Sequence, residues 1–226
     1  MTWLNRIIPN DRIIRLQLLI LVAVMLAFSL TLGQRFFSLG NFQSISSQLP
    51  ILGMLALGMG LTMLTGGINL SIIAGANACS LVMAAIIVSH PDQPLFLLLA
   101  LVAGLLVAVM IGALNGLLIS VVGVSPILAT LGTMTLITGL NILLSNGDVI
   151  SDFPPVIQYI GSGDIAGIPV AMILFLLVSA GLWVLLEHTT LGRSIYLVGS
   201  NEQATRFSGV NTHRVQVAVY ILSAVL

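Results

Sequence analysis

The chain contains no lysine. Its 226 residues carry seven arginines as the only strong cations against seven acids, and charged residues make up 6% of the whole. Without lysine there is no G-x-x-x-x-G-K-[ST] loop, so a nucleotide driving any work done by this chain must sit on another polypeptide. Cys79 is the sole cysteine; it gives no disulfide framework and reads as a small core residue. His90, His188 and His213 are scattered among loops and helix ends, with no H-E-x-x-H spacing for zinc and no G-x-S-x-G elbow for a serine nucleophile, so each reads as an interfacial histidine. No enzyme activity, no metal, no cofactor and no nucleic acid partner is expected. Asp, Glu and Arg are also missing from the middle of every apolar run, with Arg35 and Glu187 at run ends. Proton-driven carriers need such groups as relays; a sodium-coupled carrier built on carbonyls and hydroxyls stays open.

What the chain has instead is hydrocarbon. Hydrophobic residues reach 58% and mean hydropathy is +1.16, values that belong to membrane proteins. Apolar runs of near-spanning length lie at about 16–33, 49–65, 70–89, 95–119, 126–144 and 169–187, with another beginning near Val215. The expected fold is all-α, a polytopic transmembrane helix bundle with six complete spans plus a partial seventh. Residues 1–226 read as a single transmembrane domain, incomplete at its C-terminus, because the last apolar run is too short to cross a bilayer. The run after Pro50 is short too, so the break at Gly66-Gly67 is a candidate for irregular backbone inside the bilayer. Ala27-Phe-Ser29 loosely resembles a cleavage site, but the apolar run reaches Leu32, long enough for an uncleaved first helix. With the N-terminus cytoplasmic, Arg6, Arg12, Arg15, Arg193, Arg206 and Arg214 fall inside and Arg35 alone outside, in line with the positive-inside rule. Asp92, Asp148, Asp152 and Asp164 then lie outside.

Several polar positions interrupt the apolar runs. Ala100, Gly104, Ala108, Gly112 and Gly116 recur every four residues and read as a packing seam. Asn115 beside them needs a hydrogen-bonding partner, and two readings stand: it faces a pore or it bonds a neighbouring helix. Ser125-Pro126 starts a helix, Ser125 as cap. Thr130, Thr133 and Thr135 read as bonding back to their own helix. Thr65-Gly-Gly-Ile-Asn-Leu-Ser71 marks irregular backbone, either buried at membrane depth or a tight turn at the surface. The segment from Asn146 to Gly167 is rich in turn formers and reads as an external loop.

One long polar island remains, His188 to Arg214. Within it Ser200 is placed to cap a short helix, Gln203 to complete a capping box, and Gly209 to stop it. Glu202 and Arg206 stand four apart on one face. So specified a helix between two spans reads as more than a connector, a cytoplasmic loop over 188–214 where the chain meets something outside the membrane.

The island also resembles a known family. Leu191-Gly-Arg-Ser-Ile-Tyr-Leu-Val-Gly-Ser-Asn-Glu-Gln-Ala-Thr-Arg-Phe-Ser-Gly-Val-Asn211 is similar to the coupling segment of ribose-type (simple sugar) permeases of bacterial ABC importers, GR-x-I-Y-A-x-G-x-N-x-x-A-A-R-x-S-G-I. Asn115-Gly116 with Pro126-Ile-Leu-Ala-Thr-Leu-Gly-Thr-Met134, and the Thr65–Ser71 stretch, are similar to two further motifs of that family. Asn69 stands where the family usually has aspartate, and Thr205 replaces its second alanine. The resemblance implies a permease subunit in the bacterial inner membrane that pairs with a second permease subunit, as homodimer or heterodimer. It further implies an ABC ATPase subunit that binds the ATP and a periplasmic solute-binding protein that delivers a sugar or related polar solute. It places Gly192, Arg193, Gly199, Asn201, Glu202, Ala204, Arg206 and Gly209 in coupling to the ATPase. Gly66, Gly67, Asn69, Ser71, Asn115, Thr130 and Thr133 are the candidate translocation pathway. The rival expectation is a secondary transporter or channel for a small polar solute, or a nonfunctional permease fragment.

Overall fold

A computed structural model describes residues 12–89, 93–148, 150–151 and 153–226; Arg6, His90, Asp92 and Asp152 of the sequence reading lie outside them. The chain is an all-α polytopic membrane protein. Among the described residues six helices are long and apolar enough to cross a bilayer: α1 (Arg12–Leu32, prolonged to Arg35 by a three-ten turn), α2 (Leu39–Met63), α3 (Ile72–Ser89), α4 (Pro94–Ser120), α5 (Pro126–Ser145) and α7 (Val170–His188). The short α6 (Pro155–Ser162) precedes α7, and the polar α8 (Thr190–Ser200) and α9 (Glu202–Phe207) follow it before α10 (Thr212–Val225). Each sequence-expected span lies within a few residues of a helix.

Two departures have local causes. Helix α2 begins at Leu39 and runs through Pro50, so the short apolar run is only its second half. Proline removes one backbone N–H from the helical ladder, and the polar first half remains helical with Ser47 donating back to the Gln43 carbonyl at 2.9 Å. The expected loop at 146–167 holds α6 and a two-residue hairpin, Asp164–Ile165 with Ile168–Pro169. Ala166 (φ 53) and Gly167 (φ 83) supply the two left-handed residues that such a turn requires.

The chain divides into two compact units, Met1–Ser47 and Gln48–Leu226. In the first, α1 buries none of its side chains, as suits a helix facing lipid, and Phe28 and Phe36 stack at 6.4 Å at its end. In the second, α4 is the axis: it packs most extensively on α10, then on α3, which in turn packs on α5. The seam read from the sequence is where it does so. A Cβ on Gly112 would stand 2.5 Å from the Ile221 Cα, and one on Gly116 2.7 Å from the Val217 Cα, both on α10. Backbone meets backbone, so no rotamer change relieves the overlap. Gly112→Val is therefore expected to lower stability by about 2 kcal/mol or more. Gly132→Ala, with nothing within 4 Å of the new Cβ, should raise it by roughly 0.5–1 kcal/mol. Apparent unfolding midpoints in mild detergent compare the two.

Candidate functional site

The connection from α2 to α3 is where polar side chains gather. The end of α2 winds tightly, with the Gly67 N–H donating to the Thr62 carbonyl at 3.0 Å and Gly66 at φ +77 turning the chain. Beyond it Asn69 folds its amide back on the chain: its Oδ1 accepts from the Ser71 N–H (3.1 Å) and the Ser71 hydroxyl (2.8 Å). Its Nδ2 donates to Ser223 Oγ on α10 at 3.0 Å. The Ser71 hydroxyl accepts in turn from Asn115 Nδ2 on α4 at 2.8 Å. On α5 the Thr130 hydroxyl lies 2.7 Å from its own Pro126 carbonyl and 3.3 Å from the Ile68 carbonyl. Asn69, Ser71, Asn115 and Thr130 are each at most 1% exposed. One irregular loop thus ties to α4, α5 and α10 by buried hydrogen bonds.

Within the Thr65–Ser71 stretch the Asn69 and Ser71 side chains lie inside the protein, and Asn115 bonds the loop that precedes α3. Thr133 and Thr135 bond back to Ala129 and Leu131, each at 2.9 Å, as expected of threonines in apolar helices. Among the described residues Asn115 Oδ1 is a buried side-chain oxygen without a hydrogen-bond partner, and the Tyr220 hydroxyl lies against Gly67 so closely that a Cβ there would overlap it.

Thr65, Gly66 and Gly67 also line a cavity of about 420 Å³ with Gln216 and Tyr220 of α10 and Glu202 of α9. The glycine turn and the charged island therefore share a cavity, a proximity no spacing in the sequence announces. Ser125, at the start of α5, lines it too, but its side chain makes no capping bond; Pro126 alone sets that helix start.

The island itself is two helices, not one. Thr189 caps α8 by accepting from the Gly192 N–H at 3.1 Å. Asn201 caps α9 by accepting from the Ala204 N–H at 2.9 Å. The cap is thus Asn201, while Ser200 closes α8, and Gln203, at the second position of α9, forms no capping box. The shift by one follows from Asn201, whose extended backbone (φ −161) breaks the helix there. Gly209 (φ +86) is the left-handed stop that was expected.

Close approach explains the two glycines of α8. A Cβ on Gly192 would overlap the Leu185 and Leu186 carbonyls at the end of α7, and one on Gly199 would overlap the Leu64 carbonyl at the end of α2. Ile195 and Val198 on the same face are buried with Leu61, Val215 and Val219, so α8 is rooted in a hydrophobic core shared with α2 and α10. Thr205 is buried, and its hydroxyl lies 2.8 Å from the Leu197 carbonyl, joining α9 to α8. A hydroxyl at that position does work that alanine cannot.

The outward side is the reverse. Arg193, Glu202, Ala204 and Arg206 are exposed. Phe207, absent from the sequence reading, is 92% exposed. Its only signal was an aromatic ring in the last turn of a capped, charged helix.

A family described as "Branched-chain amino acid transport system / permease component" matches residues 41–226. Among curated proteins, the ribose import permease protein RbsC of Haemophilus influenzae is 32% identical over 92% of this chain and 64% of its own length. The RbsC of Bacillus subtilis is 37% identical over 82% of this chain and 57% of its own. The autoinducer 2 import system permease protein LsrC of Photorhabdus luminescens is 30% identical over 98% and 65%. The chain thus spans somewhat less than two thirds of the length of these relatives. No solved structure matches. The family resemblance read from the three motifs is borne out.

Proposed function

We propose that this chain, which belongs to the family of branched-chain amino acid transport system permease components, forms the membrane pathway of an ATP-driven importer for a simple sugar or related polar solute. Relatives named for ribose import support the solute class. The observation that carries the coupling is the two-sided build of α8 and α9: one side is rooted in the core with α2 and α10, and the other offers Phe207, Arg206 and Glu202 outward. A rigid helix with an exposed aromatic flanked by charge suits a groove on a separate ATPase subunit.

Movement imposed on α9 has a short route inward. Thr205 joins it to α8, Gly199 sets α8 against the Leu64 carbonyl, and the loop that follows holds α4, α5 and α10 through Asn69, Ser71, Asn115 and Thr130. In this reading Gly66 and Gly67 flank the cytoplasmic mouth, and Asn69, Ser71, Asn115, Thr130 and Thr133 hold the wall of the pathway. The N-terminus is cytoplasmic and the protein lies in the bacterial inner membrane. A second permease subunit completes the pathway, ATP is hydrolysed on the ATPase subunit, and a periplasmic solute-binding protein docks near α6.

The test is purification of the affinity-tagged chain with its ATPase from membranes in mild detergent. An ATPase recovered in fixed ratio, and lost when residues 200–209 are deleted, is the expected result. Phe207→Ala should weaken the association by about 2 kcal/mol, roughly 30-fold. A chain that purifies alone and moves solute unaided in liposomes overturns the proposal.

A further inference from the structure

A second cavity, of about 560 Å³, lies between α3 and α5 and is closed on one side by the segment that follows α5. Helix α5 begins at the cavity shared with Glu202 and ends at this one. From Pro126 in the first cavity to Asn141 in the second the helix rises by about 22 Å. Given the orientation proposed above, this cavity opens toward the outside.

Its lining is unusual for a membrane helix. Asn77 and Ser80 stand one turn apart on α3, well inside an apolar span, and both are exposed. An amide facing hydrocarbon without a partner is costly, whereas one facing a hydrated path is not. Opposite them stand Asn141, whose Nδ2 donates to the Ala74 carbonyl at 3.1 Å, and Ser145. Asp148 and Phe153 complete the wall. Amide, hydroxyl and carboxylate groups set in an otherwise apolar cavity of this size match a small ligand bearing many hydroxyls, and an aromatic ring suits its C–H face.

We propose that this cavity is a subsite for a single polyhydroxylated solute, with Asn77, Ser80, Asn141 and Asp148 making its hydrogen bonds. The proposal rests on the importer reading. It assigns recognition to exposed or half-buried groups on α3, on α5 and just after it, leaving the buried Asn69–Ser71–Asn115 network a positional role.

The test uses proteoliposomes containing the chain with its ATPase and binding protein, and radiolabelled D-ribose, D-fructose and D-allose as probes. Asn77→Leu and Asp148→Asn should each cut ATP-dependent uptake of the transported sugar at least tenfold, with ATPase co-purification retained as the check on assembly. In a Cys79→Ala background, the Asn77→Cys variant should react with a membrane-impermeant methanethiosulfonate from the outer side, and the sugar should slow that reaction. Unchanged uptake by both variants, or a cysteine at 77 that lipid or a second subunit shields from the reagent, overturns the subsite alone. No ATP-dependent uptake by the unsubstituted chain overturns the importer reading and the subsite with it.

Discussion

Gly199→Ala is expected to reduce ATP-dependent uptake by about 5- to 150-fold, the span of a coupling free energy of about 1–3 kcal/mol, while the ATPase still binds. The added methyl overlaps the Leu64 carbonyl, and neither partner is a flexible side chain. To reach ordinary contact α8 must withdraw from the end of α2 by roughly 1 Å or more. That loosens the close backbone approach of α8 to the end of α2, from which the loop with the buried asparagine leads on. Surfaces offered to the ATPase, Arg206 and Phe207, lie on α9 and are untouched. The measurement is uptake and ATP hydrolysis on the same proteoliposomes: hydrolysis that continues while uptake falls is the signature of lost coupling. Uptake that matches the unsubstituted chain would show that this contact transmits nothing. The Gly132→Ala variant, whose new methyl meets nothing, is the control.

The second large effect separates two asparagines that look alike in the sequence. Asn69→Leu keeps the branching of the side chain but strands the Ser71 N–H and takes one partner each from the Ser71 hydroxyl, which keeps Asn115, and the Ser223 hydroxyl, all buried. Hydrogen bonds between membrane helices average only about 0.6 kcal/mol, against about 1–3 kcal/mol for a buried group left unpartnered. Three groups together should cost about 2–3 kcal/mol or more. Asn115→Leu removes one bond, but it also removes an Oδ1 that has no partner, so its net cost should fall within about 1 kcal/mol of zero. Asn69→Asp should fall between: its carboxylate still accepts from both Ser71 donors, and Ser223 can turn its hydroxyl to donate, at the cost of burying a charge. Apparent unfolding midpoints rank the three. Equal losses at 69 and 115 would refute the network as the source of order in this loop.

Where the sequence was sufficient, hydrophobic length and small-residue spacing did the work. Both act over one helix at a time: twenty apolar residues form a span whatever surrounds them, and Gly112 and Gly116 mark a seam because no larger residue could stand there. The glycine stop at 209 was legible for the same reason, since a left-handed residue is a property of one position. The start of that helix, capped one residue later than expected, was not. Ser200 and Asn201 are both good caps, and α8 running on through Ser200 decided between them. Phe207 escaped because an aromatic residue in a short helix is as often buried as bare.

By itself, then, the sequence determined an all-α membrane bundle, the number of its spans and its family, for these depend on local hydrophobicity and on motifs written contiguously. Only the tertiary structure decided what the polar residues do. Asn69 meets Ser223 across 154 residues, and Gly199 meets Leu64 across a gap nearly as long. In hydrocarbon an amide or hydroxyl must find a partner wherever the packing of helices places one, and that placement belongs to the assembled bundle.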